Sequence, residues 1–174
     1  MIPFWKTDDQ SSIRFYTFIE MEFPEFPVIA ALPEEGLLAA LGLSAPLFVG
    51  KTRDYFLIET NDQRSVESVS PRFDELKTLN VAGVFVTARS DSAKYDFVSR
   101  CFFPKEGIPE DPVTGSAHCS LGPYWRERLS KQRLVAKQIS SENGEIQIRF
   151  NDSKVILGGK ARIRPSSKMT SPAK

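Results

Sequence analysis

Glu110-Asp111-Pro112-Val113-Thr114-Gly115-Ser116-Ala117-His118-Cys119 decides how this chain folds and where its chemistry lies. An apolar segment runs into it through Phe97, Val98, Cys101, Phe102 and Phe103. A helix-like segment follows, with Leu121, Tyr124, Trp125 and Leu129. A strand that empties into a Gly-Ser turn and then a helix gathers free backbone N–H groups in one place. The first N–H groups of a helix have no intrahelical partner, so such a start attracts anions. A carboxylate beside it could move protons on a bound acid.

Asp111 precedes Pro112, which steers its backbone toward the extended region and suits a residue leaving a strand. Its side chain has two readings. Either it caps the following turn, or it serves as a general acid/base or substrate-orienting carboxylate. Gly115 permits a φ > 0 turn and lets a ligand approach the backbone closely. Ser116 and Ala117 would supply N–H groups at the helix start. Asp111 is therefore the candidate catalytic residue, and Thr114, Gly115, Ser116 and Ala117 are the candidate substrate-binding residues.

His118 is the only histidine of the chain, and a lone histidine is more often structural than a base. One histidine and two scattered cysteines, Cys101 and Cys119, make no metal ligand set. No metal is expected. On a helix, neighbours point about 100° apart, so His118 and Cys119 do not form a nucleophile–base dyad. Cys119 reads as a small buried hydrophobe. Pro123 should kink the helix-like run, and Tyr124 and Trp125 read as core packing. Arg100 is either a surface residue or an inward partner for an anion.

Around the motif the chain is strand-rich. Phe15 to Phe23 reads as a strand that stops at Pro24-Glu25-Phe26-Pro27, where prolines remove ladder donors. Glu34 to Leu43 reads as a helix with Pro33 suited to its first turn. Leu47 to Val49 and Tyr55 to Ile58 read as strands paired around Lys51-Thr52-Arg53-Asp54. Ser70-Pro71 reads as the start of a helix carrying Phe73, Leu76 and Leu79. Val81 to Ala88 is a continuous apolar run expected to be a central buried strand, and Tyr95 to Phe103 a further one. Leu134 to Ile139 and Glu145 to Phe150 flank an Asn-Gly hairpin signal. Lys154 to Leu157 and Ala161 to Ile163 are expected to finish the sheet around Gly158-Gly159. The fold class is α+β rather than doubly wound.

The 23 basic and 22 acidic residues nearly cancel. No basic stripe argues for nucleic acid. The longest apolar runs fall far short of the roughly 20 residues of a membrane span. The N-terminus lacks the basic and apolar regions of a secretory signal, and two cysteines give no disulfide framework. The expected compartment is the reducing cytoplasm.

The motif, with Asp96-Phe97-Val98-Ser99-Arg100-Cys101-Phe102-Phe103-Pro104 and Gly107-Ile108-Pro109 ahead of it and Pro123-Tyr124-Trp125 after it, resembles the phenazine-biosynthesis PhzF-like family. That family is similar in fold to diaminopimelate epimerase. The resemblance continues through Gly144 and Gly158-Gly159-Lys160-Ala161, and upstream through Ile19-Glu20-Met21-Glu22-Phe23-Pro24. It divides the chain into a lead at 1–18, a second (C-terminal) lobe at 19–164, and a frayed polar tail at 165–174. It implies one diaminopimelate-epimerase-like lobe, a curled, mostly antiparallel sheet around a central helix. It also implies an active site in the cleft between two lobes, where a proton moves on a small carboxylic acid without metal or organic cofactor. Asp111 matches a polar residue of that site. Gly115 and Ser116 match the loop and helix start that hold the substrate.

The family's catalytic glutamate sits in an Asn-Glu-(Ser/Thr) segment of the first lobe, and a Gly-His-Ala-Thr segment supplies a second helix start. Neither occurs in this chain. The chain thus reads as one lobe of a two-lobe isomerase. A second copy in a C2 dimer could complete the cleft and set two Asp111 carboxylates across it. A separate chain carrying the missing lobe would serve as well. The alternatives are a non-catalytic carboxylate-binding or interaction module, or a truncated form of a full-length enzyme.

Overall fold

The structure is a computed structural model and describes residues 17–161 apart from Asp54. The expected strand positions at Phe15 and Ile163, residues 1–16 of the lead at 1–18, and the tail at 165–174 lie outside the described residues. Among the described residues nine strands form one sheet: β1 (Thr17–Pro24), β2 (Ile29–Ala30), β3 (Phe48–Thr52), β4 (Tyr55–Glu59), β5 (Gly83–Arg89), β6 (Phe97–Phe102), β7 (Arg133–Gln138), β8 (Gly144–Asn151) and β9 (Lys154–Ala161). Their spatial order is β1-β9-β8-β7-β6-β5-β4-β3-β2. Accompanying them among the described residues are the α-helices α1 (Leu37–Leu41), α2 (Gln63–Glu67), α3 (Phe73–Thr78) and α4 (Gly115–Leu129). The expected α+β class with a mostly antiparallel sheet is what the chain forms.

The helices explain where the sheet departs from antiparallel pairing. Among the described residues only β4–β5 and β6–β7 run parallel, and parallel neighbours need a long crossover. The first crossover contains α2 and α3, and the second contains α4. The two sets cover opposite faces. Leu57, Phe85, Phe97 and Cys101 pack with α4 residues, while Phe56, Ile58, Val84, Val86, Val98 and Phe102 pack with α1–α3. Side chains alternate across a strand, so β5 is buried on both faces through Ala88. That is why its sequence is a continuous apolar run.

The central helix is buried on every side. Ala117 to Trp125 are nine consecutive buried residues, the pattern of a helix enclosed rather than laid on a surface. Thr52 of β3 meets Ser120 at 3.0 Å, and the Trp125 indole N–H donates to Thr87 Oγ1 of β5 at 3.0 Å. Ile148 of β8 approaches Gly122 so closely that a Cβ there would sit 3.1 Å from it. One helix touched by strands from both halves of the order requires the sheet to curl around it.

Pro123 does not interrupt α4. A proline at 123 cannot donate to the carbonyl of Cys119, four residues earlier. The Phe26 N–H donates to that carbonyl instead, at 2.9 Å. The proline therefore frees an acceptor that ties the β1–β2 connection to the central helix.

Several local expectations are corrected. The first helix spans only Leu37–Leu41 and leaves Pro33 outside, because Gly36 takes a left-handed conformation (φ 82°) immediately before it. α3 starts after Arg72 rather than at Ser70-Pro71, since the Arg72 N–H is held by the Ala40 carbonyl at 2.7 Å. α2 was not anticipated, although Asp62 caps it by accepting from the Ser65 N–H at 2.7 Å. Gly158-Gly159 is no turn. It lies inside β9, where Gly158 makes room for the Phe18 ring of β1, which a Cβ would approach to 2.6 Å. Among the described residues no helix is long and apolar enough to cross a membrane.

Candidate functional site

The segment between β6 and α4 is clamped from several sides. The Asp111 N–H donates to the Cys101 carbonyl at 3.0 Å, which fixes the point where the chain leaves the strand. Ser140 Oγ donates to the Pro112 carbonyl at 2.7 Å. Gly144 lets the β7–β8 turn press on Val113, since a Cβ there would lie 2.3 Å from the valine side chain. Glu110 is bound by Arg100 through two bonds of 2.7 and 2.8 Å. Arg100 also donates to the Val69 carbonyl at 2.6 Å. It lies mostly buried, 14% exposed, so of the two sequence readings it is the inward anion partner, and the anion is the Glu110 carboxylate. It is an internal tie between α2 and the motif, with its charge already matched.

Asp111 is half-buried, and its Oδ2 accepts from the Thr114 hydroxyl at 2.7 Å. No hydrogen bond reaches its Oδ1 among the described residues. Thr114 is the extended N-cap residue of α4, but its hydroxyl is turned to Asp111 and makes no cap bond. The first N–H groups of α4 thus keep no side-chain partner, and no loop bond to Gly115, Ser116 or Ala117 N–H occurs among the described residues. Gly115 and Ser116 are exposed. Ala117 is fully buried, so it offers a ligand only its N–H.

Gly115 takes no positive φ, so the left-handed turn that a glycine permits is not used here. The positive-φ glycines of the described residues are Gly36, Gly42 and Gly107. Its value is space: a Cβ at 115 would meet nothing within 4 Å. It opens on a cleft of about 510 Å³ between the head of α4 and the inner ends of β1, β8 and β9. Ile19, Met21, Ile146 and Leu157 line it with apolar side chains, and Asn143 and Lys160 add polar ones. Of the five candidates, Gly115 belongs to the lining. Asp111, Thr114, Ser116 and Ala117 are not part of it.

His118 lies in the core. Its Nδ1 sits 2.7 Å from the Thr114 carbonyl. A carbonyl only accepts, so Nδ1 carries the proton and Nε2 is a bare acceptor, buried without a partner among the described residues. Its ring stacks on Phe97 at 6.0 Å. Burial pushes its pKa down to about 4, against a smaller pull upward from the Thr114 carbonyl. At neutral pH it is uncharged. Burial also pushes the Cys119 thiol up to about 11, so it is no nucleophile. No group of three His, Cys, Asp or Glu side chains among the described residues is arranged to hold a metal.

Gln138 escaped the sequence reading. It ends β7, is fully buried, and bonds to Thr114 and Asp111. A signal existed, because Leu134, Ala136 and Gln138 alternate on one face. A polar residue in phase with a core stripe needs a partner inside.

A family model described as PhzC-PhzF, phenazine biosynthesis-like protein, matches residues 5–165. The chain belongs to the phenazine biosynthesis-like family. Its relatives in that family include an uncharacterized isomerase of Halalkalibacterium halodurans, 40% identical over 173 residues, which cover 90% of this chain and 65% of the relative. An uncharacterized isomerase of Pseudomonas aeruginosa is 45% identical over 146 residues, covering 83% of this chain and 54% of the relative. A crystal structure of a PhzF-family phenazine biosynthesis protein from Enterococcus faecalis superposes with a TM-score of 0.75 at 34% identity, over 88% of this chain and 63% of that one. The chain spans less than two thirds of the length of each of these phenazine biosynthesis-like relatives.

Proposed function

We propose that this chain is one wall of an isomerase that moves a proton on a small carboxylic acid, with the cleft completed by a second lobe from another copy or chain. The observation that carries this reading is the open head of α4. The N–H groups of Gly115, Ser116 and Ala117 have no partner among the described residues, and they follow directly on Thr114, whose hydroxyl bonds Asp111. The partial positive charge of a helix start favours a carboxylate there. Asp111 offers Oδ1 as the oxygen free to exchange a proton. Glu110 is committed to Arg100, and His118 is neutral and enclosed. Two relatives that bear the name isomerase support the reaction class. The second lobe is supported by β1, an edge strand whose Phe18, Ile19 and Met21 are 46, 45 and 55% exposed at the cleft. Apolar edges of this kind are normally covered.

The test is incubation with a panel of small carboxylic acids in deuterium oxide, reading deuterium wash-in by mass spectrometry, with light scattering for assembly. Asp111→Asn should abolish wash-in while the protein stays folded. Wash-in that survives this substitution rules out Asp111 as the proton carrier. The second reading is a carboxylate-binding module without turnover. It draws support from Asp111 being the one carboxylate of the motif without a cationic partner. Binding of an acid with no wash-in in any assembly state would select it.

A further inference from the structure

We propose that Gln138 is the positioning residue that orients Asp111, acting through Thr114; this rests on the carboxylate-site reading above. Gln138 ends β7, opposite Ser99 of β6 and Gly144 of β8, and is fully buried. Its amide spends its bonds on one short segment. Oε1 accepts from the Thr114 N–H at 2.8 Å. Nε2 donates to the Asp111 carbonyl at 2.6 Å and to Thr114 Oγ1 at 3.1 Å.

The orientation of this amide is forced. A main-chain N–H can only donate and a main-chain carbonyl can only accept. A flipped amide would set donor against donor at Thr114 and acceptor against acceptor at Asp111. The consequence runs on to the carboxylate. A Thr114 hydroxyl that accepts from Nε2 must turn its own hydrogen elsewhere, and it donates to Asp111 Oδ2 at 2.7 Å. Each bond in such a chain polarises the next. Gln138 thereby selects which aspartate oxygen is occupied and which is left toward a ligand. It also holds the Thr114 hydroxyl away from the helix cap, which keeps the first N–H groups of α4 open. A side chain present only for packing would need none of these three bonds.

Nuclear magnetic resonance on the intact chain tests this with benzoate as the probe. In the native protein, benzoate should shift the amides of Gly115, Ser116 and Ala117, and the three-bond couplings of Asp111 should report one χ1 rotamer. In Gln138→Met, of similar length but without the amide, those couplings should average over the staggered wells and the benzoate shifts should shrink. Thr114→Val should act like Gln138→Met, and Thr114→Ser, which keeps the hydroxyl, should restore the single rotamer. If Gln138→Met does not fold, the Thr114 pair decides. A single Asp111 rotamer in Gln138→Met, or in Thr114→Val, overturns the positioning role although benzoate still binds the native protein. Absence of benzoate shifts in the native protein overturns the carboxylate reading itself and reduces Gln138 to a structural clamp.

Discussion

His118 should make this lobe acid-labile in a window set by its burial. In an unfolded chain its imidazole titrates at its ordinary value of 6.5, whereas burial brings it down to about 4 in the fold. Above the higher value both states are neutral and the group contributes nothing. Between the two, the unfolded chain binds a proton that the folded one refuses. Stability therefore falls as pH drops through 6.5 and reaches its full loss near 4. At ~1.4 kcal/mol per pH unit, the gap is worth roughly 3 kcal/mol. That is a large share of the ~5–15 kcal/mol of an ordinary domain. The assay compares urea unfolding of the native protein and His118→Gln between about pH 7 and about pH 4. Glutamine can still donate to the Thr114 carbonyl but does not titrate. Carboxylates titrate alike in both proteins and cancel in the difference. The native protein should lose roughly 3 kcal/mol more than the variant across that range. Curves that stay parallel within ~0.5 kcal/mol would show that the imidazole reaches solvent or finds a partner for its proton.

Two further outcomes follow from the packing around the site. Pro123→Ala should change stability by less than ~1 kcal/mol in urea unfolding, well below the ~3 kcal/mol that an interior helix proline ordinarily costs, because the Phe26 N–H already serves the Cys119 carbonyl. A gain of the full amount would show that this bond adds little. Gly159→Leu should leave unfolding nearly unchanged, since a Cβ there meets only the Glu145 carbonyl at 3.9 Å. By filling the cleft it should weaken benzoate binding roughly tenfold, equal to ~1.4 kcal/mol. Unchanged binding would place the ligand outside this cleft.

Much of the fold was legible because its signals are local. The β-branched and aromatic run at Val84–Val86, the Asn143-Gly144 turn and the apolar approach to Asp111 each show what they become within a few residues. Boundaries were less legible. Gly36 and the tie from Arg72 to Ala40 moved two helix starts by two or three residues, and neither effect has a counterpart in the flanking sequence. For the site, residues 111–117 stood out as a block. Their division of labour did not, since Thr114 has the side chain of a good N-cap and turns it to Asp111 instead.

Read alone, the chain carried the family, the class of fold and the place of the helix start, all of which are written in contiguous residues. Distant partners settled the rest. Arg100 met Glu110 and the Val69 carbonyl, the Phe26 N–H found the acceptor that Pro123 had freed, and Gln138 reached back across 24 residues to Thr114. A buried polar group must be paired, but its sequence says only that a partner is needed. Which group meets it is decided by how the sheet curls around α4, because only folding brings those positions within hydrogen-bond distance.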